Sequence, residues 1–222
     1  MKVTVLYFWR INRQSIPAAF FRMALDRRAL KRSTGVSFAK LLGCGKGESF
    51  TPSDADPRRW AILITIDESQ LVNLDSSSLV KRWRKKSTSE FRVMLDAISV
   101  HGEWSKRKPF EISAPKDFSG KVVAITRARI TWHQTLRFWR AVPPVTSALH
   151  VAPGLIKAIG IGEAPIGLQG TFSIWESAAA VRAFAYQGAA HQGAIAATKE
   201  HNWYSEELFG RFAVREVRGT LE

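Results

Sequence analysis

One histidine in the last third of the chain has neighbours suited to holding a metal-bound cofactor. His191 lies in an alanine-rich stretch, residues 189–200, whose composition favours an α-helix. Ile195 follows about one helical turn later, so the two side chains share a face. A neutral imidazole beside small residues can ligate haem iron, because a flat macrocycle can lie against such a helix. A core or capping histidine on an alanine-rich helix is the alternative interpretation.

Two predicted strands carry polar side chains at alternating positions that could line a pocket. Gln169, Thr171 and Ser173 alternate with residues suited to packing, and Arg127 lies in a similar pattern within the strand 122–130. An arginine near a cofactor or a substrate oxygen would stabilise developing negative charge. We therefore predict Arg127, Gln169 and Ser173 as candidate catalytic residues of a distal pocket. Polar residues that face water or a subunit interface are the alternative.

The elements that must position these side chains occur twice along the chain, in the same order. Each copy opens on an alternating strand that is followed by a helical segment. The strands that repeat are 2–7 and 121–126, 40–45 and 157–162, 60–67 and 171–176, and 91–100 and 212–217. A repeated βαββαβ order predicts an α+β fold of two ferredoxin-like halves. We expect the two sheets to form a closed or nearly closed barrel, with a pocket between sheet and helix.

The repeat also divides the chain. We predict an N-terminal ferredoxin-like half at residues 1–104, a proline-containing linker at 105–120, and a C-terminal half at 121–222. The stretch of the first copy that corresponds to His191 is basic, at residues 81–84. Duplicated scaffolds often keep one working site, so this asymmetry favours a haem site in the second half.

Composition and length limit the class of protein. The 222 residues are 45% hydrophobic and include eight Trp and thirteen Phe, which excludes a disordered chain. The single cysteine, Cys44, excludes an intrachain disulfide and a multi-cysteine metal site, and is typical of a reducing compartment. No stretch approaches the roughly 20 apolar residues that a membrane-spanning helix needs. We expect a cytoplasmic protein.

The formal net charge of +14 indicates attraction to anionic partners. The basic run at residues 81–86 could lie on anionic lipid, and a solvated helix face is the alternative. We predict loose peripheral association with the inner membrane and no sequence-specific nucleic acid, because no nucleic-acid-binding module is recognisable. The glycines at 43–47 and 160–162 do not match a phosphate-binding loop, and we interpret them as tight turns or strand bends.

Long blocks of the sequence resemble the spheroidene monooxygenase family of carotenoid biosynthesis. The resemblance extends over nearly the whole chain. The blocks that carry it are residues 38–52, 137–143, 159–165, 169–175 and 203–212. The order of Trp175, Phe184 and His191 is also similar to that in dimeric α+β barrel haem proteins and in antibiotic-biosynthesis monooxygenase domains.

This resemblance implies a haem b enzyme that inserts oxygen into an acyclic carotenoid or another apolar substrate, giving a keto group. It implies a dimeric α+β barrel-like fold, a homo-oligomer as one possible assembly, and His191 as the iron ligand. We expect Phe184 and Ile195 to contact the cofactor. The alternatives are a haem enzyme of the aldoxime dehydratase or peroxidase type, a non-catalytic haem carrier or sensor, and a cofactor-free binding barrel. The electron donor stays undefined.

Overall fold

The computed structural model describes residues 1–163, 170–187 and 203–221. Within these ranges both halves follow the predicted strand and helix order. The first half contains β1 (Lys2–Ile11), α1 (Ile16–Arg32), β2 (Val36–Gly45), β3 (Ala55–Asp67), α2 (Leu71–Asp75), α3 (Ser78–Lys86) and β4 (Ser87–Gly102). The second half contains β5 (Val122–Ile130), α4 (Thr135–His150), β6 (Leu155–Gly162), β7 (Gly170–Trp175), α5 (Ala178–Gln187) and β8 (Tyr204–Gly219). The division into domains at residues 105–120 stays a prediction.

Local chemistry accounts for several of these boundaries. Pro17 lies in the first turn of α1, where its missing N–H would be unpaired in any helix. Ser77 caps α3 by accepting the backbone N–H of Val80 at 3.3 Å, and basic residues fill the last turn of that helix. Ser177 accepts the N–H of Ala180 at 3.2 Å and so caps the start of α5.

The loop after β2 is shorter than the sequence indicates, because Asp54 organises it. The Asp54 carboxylate accepts backbone N–H groups from Gly47 and Glu48, each at 3.0 Å, and β3 begins directly afterwards at Ala55. Gly47 has a φ of 87°, and a Cβ there would lie 2.3 Å from the carbonyl oxygen of Ala158, so only glycine fits. The register of β2 also shifts at Gly43, as the predicted strand bend requires.

Across the described ranges, eight strands close into a barrel in the order β1-β3-β2-β6-β7-β5-β8-β4. All neighbouring strands are antiparallel. The halves meet at two seams, β4 with β8 and β2 with β6. This arrangement confirms the predicted α+β fold of two ferredoxin-like repeats in a dimeric α+β barrel-like form. None of the described helices is long and apolar enough to cross a membrane.

The barrel interior is a packed core to which both halves contribute. Phe8 of β1 contacts Phe172 of β7, with ring centroids 4.8 Å apart, and Phe110 of the linker packs edge-on against Phe212 of β8 at 5.0 Å. Their neighbours are mostly buried aliphatic side chains that alternate along each strand. The interior is therefore a core and not a channel.

The linker covers one end of this barrel. Trp104, only 1% exposed, belongs to the interior cluster, and its indole N–H donates to Glu163 Oε1 at 2.7 Å. Ser105 and Lys106 have φ values of 57° and 56°, which non-glycine residues rarely adopt. The Glu206 carboxylate accepts both of their backbone N–H groups, at 3.0 and 2.7 Å, and so holds this tight turn in place.

Trp104 should therefore be one of the side chains on which the stability of the barrel depends. We expect Trp104→Ala to lower the free energy of unfolding by about 3–5 kcal/mol, because it leaves a cavity and removes a hydrogen-bond donor of Glu163. Urea unfolding followed by far-UV circular dichroism measures the change. The control is Phe21→Ala, at a side chain that is 73% exposed, which should cost less than about 0.5 kcal/mol. Equal losses in the two variants would contradict a stabilising role for buried Trp104.

Candidate functional site

The helix-facing side of the second half's sheet carries small side chains. Ala124 of β5 pairs with Ser173 of β7, which in turn pairs with Ala158 of β6, and all three are buried. At the next pair on the same face, Thr126 lies opposite Thr171, and their hydroxyl oxygens are 2.6 Å apart. We call this surface the small-residue face; it consists of Ala124, Thr126, Ala128, Ala158, Gly160, Thr171 and Ser173.

The same positions of the first half carry much larger side chains. The pairs Val3↔Ile66 and Val122↔Trp175 occupy the same place in the repeat, which aligns the two sheets. In that alignment Val5, Tyr7, Trp9, Leu41, Ile62 and Ile64 correspond to Ala124, Thr126, Ala128, Gly160, Thr171 and Ser173. Only Ala39 and Ala158 are the same residue type. The sheet of the second half therefore has smaller side chains on its helix-facing side than the sheet of the first half, and Leu149 of α4 and Val181 of α5 pack against them.

Aromatic stacking fills that volume in the first half. Tyr7 stacks on Trp9 with ring centroids 5.3 Å apart, and Trp9 stacks on Trp83 of α3 at 5.5 Å. The Trp83 indole N–H donates to buried Asp26 of α1 at 3.0 Å, which ties both helices to the sheet. Side chains of the sheet and of α3 thus occupy this position in the first half.

Ser173 and Phe184 lie together at the border of the small-residue face. The Ser173 hydroxyl donates to the carbonyl of Ala124 at 3.3 Å and accepts the indole N–H of Trp175 at 2.9 Å. The Trp175 ring contacts Phe184 of α5, with centroids 5.4 Å apart. Two of the predicted site residues are therefore brought to one surface, and Trp175, which the sequence analysis noted only as part of a motif, joins them.

Three other predicted site residues, Gln169, His191 and Ile195, lie outside the described residues. His191 follows Gln187, the last residue of α5, by four positions in the sequence. Their assignment as catalytic or haem-binding residues stays a prediction.

Arg127 lies on the opposite face of β5 from the small-residue face. Its neighbours two and four positions back, Ile125 and Val123, belong to the barrel interior. Arg127 Nη2 donates to Glu163 Oε1 at 2.9 Å, and Nη1 is bound to Glu206. The structure therefore does not bring Arg127 and Ser173 into one pocket. A shift of one residue in strand phase moves a side chain to the other face, and the sequence pattern alone did not settle that phase.

Arg127 belongs to a partly buried group of charges that we call the barrel-end cluster: Lys40, Arg127, Glu163 and Glu206. Lys40 Nζ donates to Ser105 Oγ at 2.6 Å and to the Glu163 carboxylate. Burial lowers the pKa of Lys40, although its contact with Glu163 opposes this. The cluster joins β2 of the first half to β5 and β8 of the second, together with the linker.

Both carboxylates of the barrel-end cluster are held in the charged form. Burial tends to raise the pKa of Glu163, but hydrogen bonds from Lys40 and Trp104 outweigh it and leave that pKa below its usual value. Burial also tends to raise the pKa of Glu206, but the backbone N–H groups of Lys106 and Ser105 and the charge of Arg127 lower it. The cluster is therefore an ion-pair network that holds the structure together.

Arg211 is a functional candidate that the sequence analysis missed. It pairs with Ala124 across the β5–β8 ladder, so it shares the face that carries Ser173. Arg211 Nε donates to Ser99 Oγ at 2.9 Å, which fixes the half-buried guanidinium beside this face. The alternation of Phe209, Arg211 and Ala213 was visible in the sequence. Only the strand pairing, however, identifies the face on which they lie.

Cys44 packs inside the barrel. Its side chain is buried in the interior cluster, and this burial raises the pKa of the thiol far above its usual value. A protonated, inaccessible thiol is a poor nucleophile and a poor metal ligand. Within the described ranges, no group of three or more His, Cys, Asp and Glu side chains is placed to hold a metal ion.

Three curated relatives are spheroidene monooxygenases. The chain is 36% identical to the enzyme of Rhodobacter capsulatus over 226 aligned residues, covering 99% of this chain and 93% of that protein. It is 32% identical to the enzyme of Cereibacter sphaeroides, covering 90% of this chain and 63% of that protein. For the enzyme of Rubrivivax gelatinosus the identity is 35%, with coverages of 83% and 71%. No protein-family model matches the chain.

The fold has counterparts among solved structures. Two crystal structures of aldoxime dehydratase superpose with TM-scores of 0.58 and 0.56, at 10% sequence identity. Each alignment covers 96% of this chain, and 81% and 79% of the two dehydratase chains. At this level of identity the likeness shows a shared fold and nothing about the reaction.

The barrel-end cluster predicts how stability depends on pH. Because the folded-state pKa values of Glu163 and Glu206 are lowered, their stabilising effect is complete above the unfolded pKa of about 4.3 and is lost as pH falls through the folded values. We expect Glu163→Gln to lower the free energy of unfolding at pH 7 by roughly 2–3 kcal/mol, since Lys40 and Arg127 lose a shared counter-ion. The loss of stability below about pH 4.3 should be shallower in this variant than in the parent chain.

Urea unfolding at a series of pH values from neutral to acid tests this dependence. Glu111→Gln is the matched control, because that exposed carboxylate only pairs with Lys2 at the surface. The same dependence of the free energy of unfolding on pH in Glu163→Gln and Glu111→Gln would contradict a stabilising role for the charge of Glu163.

Proposed function

Because the chain belongs to the spheroidene monooxygenase family, we propose that it is a haem-dependent monooxygenase that inserts oxygen into an apolar substrate such as an acyclic carotenoid. We place the site at the small-residue face of the second half. It is the part of the described sheet where helix-facing side chains are smaller than their counterparts in the other half.

The residues present fit a haem group. A macrocycle is flat and mostly apolar, and it needs a slot without large side chains between a sheet and a helix. Ala124, Gly160 and Ser173 supply such a surface, where side chains the size of Val5, Leu41 and Ile64 would occupy the space. His191, in the stretch of chain that follows α5, is the proposed ligand of the iron.

Several described residues would position the cofactor and substrate. Trp175 and Phe184 form an apolar wall that excludes water, and the Ser173 hydroxyl fixes the Trp175 ring through its indole N–H. Arg211 places a cation at the border of the face, where it could pair with an anionic haem substituent. When bound, the haem would supply the activation of dioxygen, and an external donor would supply electrons.

The paired hydroxyls of Thr126 and Thr171 add a polar point to an otherwise small and apolar surface. They share one hydrogen bond at 2.6 Å, and Thr126 Oγ1 also accepts the backbone N–H of Thr171 at 3.3 Å. Such a pair can hold a proton or a water molecule at a defined place. An apolar polyene would approach from the helix side, since aromatic side chains fill the barrel interior.

Substitution of the proposed ligand tests the cofactor. After reconstitution with haem, we expect the parent chain to show a Soret band and His191→Ala to lose it or retain only a weak band, with an unchanged circular dichroism spectrum. His133→Ala, at an exposed histidine before α4, is the control and should bind haem normally. An unchanged Soret band in His191→Ala would exclude this histidine as the ligand. With isotopically labelled dioxygen, a monooxygenase would form a keto carotenoid that carries the label, whereas a haem carrier would form none.

Filling the small-residue face tests the site independently of the ligand. Ala158 and Ala39 occupy equivalent positions of the two halves, so Ala158→Ile and Ala39→Ile add the same volume to the helix-facing sides of the two sheets. We expect Ala158→Ile to weaken haem affinity about tenfold or more, because extra methylenes cannot be accommodated beside a bound macrocycle. Ala39→Ile should leave haem affinity unchanged even where it lowers stability. Equal haem affinities in the two variants, measured by titration, would refute this placement.

A further inference from the structure

The outer side of α1 exposes large apolar side chains, of which Phe20 also contacts buried Trp60 edge-on, with ring centroids 5.2 Å apart. Phe21 is 73% exposed, Leu25 is 65% exposed and Phe20 is 41% exposed. Phe21 and Leu25 are one helical turn apart, so they form a continuous stripe. The opposite side of the helix packs on the sheet through buried Ala19 and Leu30. The stripe is therefore not required for the helix to bind the barrel.

Basic side chains continue this stripe toward the end of the helix. Arg28 and Arg32 fall on the same side as Phe21 and Leu25, and Arg27 and Lys31 flank them, all exposed. Among the residues that the structure describes, no carboxylate forms an ion pair with any of these four cations. The outer side is thus apolar in its first half and cationic in its second half.

The acidic residue of this helix points inward. Asp26 is 2% exposed, and it is bound by Arg22, Arg82 and the indole of Trp83. These contacts hold α3 beside α1, so the exposed Lys81, Lys85 and Lys86 belong to the same side of the molecule. The exposed charged side chains of α1 itself are therefore all basic. Arg84, by contrast, is engaged with Glu90 and contributes less.

We propose that the outer side of α1 is a docking surface for an anionic lipid bilayer. Phe21, Leu25 and Phe20 would enter the boundary between headgroups and acyl chains, and Arg28 and Arg32 would bind lipid phosphates beside them. The unpaired cations complement an anionic bilayer, and an apolar tip next to them is the composition that lies in a membrane interface. The prediction from sequence based membrane association on the dispersed net charge of +14 and on the basic run at residues 81–86. The outer side of α1 adds an apolar part that this charge-based prediction lacked.

This inference stands apart from the proposed oxygenation. Vesicle binding is measured without haem or carotenoid, so a failure of docking leaves the proposed reaction untouched, and the reverse also holds. Docking would nevertheless bring the enzyme to the phase in which an apolar polyene dissolves.

Co-sedimentation with vesicles of phosphatidylcholine and phosphatidylglycerol tests the apolar stripe. We expect Phe21→Ala combined with Leu25→Ala to reduce the partition coefficient about tenfold or more. Ile112→Ala combined with Val151→Ala is the matched control, since both side chains are equally apolar and exposed elsewhere. Equal losses in the two double variants would overturn the assignment to α1.

The charged part of the surface has its own matched pair. One double variant combines Arg28→Gln with Arg32→Gln in α1, and the control combines Lys116→Gln with Lys121→Gln. Both lower the net charge equally, and all four side chains are exposed. The α1 pair should weaken binding to anionic vesicles roughly tenfold and make it less sensitive to salt, whereas the control pair should change it much less. Equal weakening would mean that only total charge matters, and binding that is as strong to pure phosphatidylcholine would also refute the proposal.

A fluorescent label distinguishes lipid from a second protein copy. Cys44 is buried, so a thiol introduced by Leu25→Cys can be labelled selectively with an environment-sensitive dye. Its emission should shift to the blue when anionic vesicles are added, and the label on Val151→Cys should not respond. A lack of response at Leu25→Cys, or a shift that appears with rising protein concentration in the absence of vesicles, would overturn lipid docking.

Discussion

The ladder between β4 and β8 is the interaction on which the rest of the structure depends. It extends from Phe91↔Gly219 to Gly102↔Leu208 and joins the closing strands of the two halves. A ferredoxin-like sheet alone would leave the edge strand of each half with unpaired backbone groups. Pairing these edges closes the barrel, so the aromatic side chains of both halves meet in one interior core. The core inside the barrel is therefore shared by the two halves.

A shared interior changes what each outer face must contribute. The first half binds its helices through stacked aromatic rings and a buried carboxylate, and it supplies much of the packing outside the barrel. The second half carries alanine, glycine, serine and threonine at the equivalent positions. The helix-facing side chains of the second half are smaller. The shared interior core and the helix packing of the first half compensate for their smaller contribution to stability. In this way the first half supplies much of the packing outside the barrel, and the proposed ligand site lies in the second half.

The sequence predicted the repeat well, because strand alternation and capping residues such as Ser177 are local signals. It failed where a conclusion needed strand pairing. Arg127 and Ser173 both lie in alternating polar patterns, yet only the β5–β7 register places them on opposite faces. Arg211 was overlooked for the same reason. The barrel-end cluster joins Lys40 to Glu163 and Glu206 from distant parts of the chain, and no local pattern announces such a contact.

The two seams of the barrel are unequal. Among the described residues, the β2–β6 seam has the pairs Gly43↔Gly162 and Cys44↔Ile161, whereas the β4–β8 seam runs along most of both strands. Among these described pairs, opening the barrel along β2–β6 would break fewer backbone hydrogen bonds than opening it along β4–β8, so β2–β6 is the weaker line of closure within the described residues. Lys40 and Glu163 form an ion pair across that line, one from each half. Because Glu163 also pairs with Arg127, a local opening of the barrel at this seam would disturb the whole barrel-end cluster.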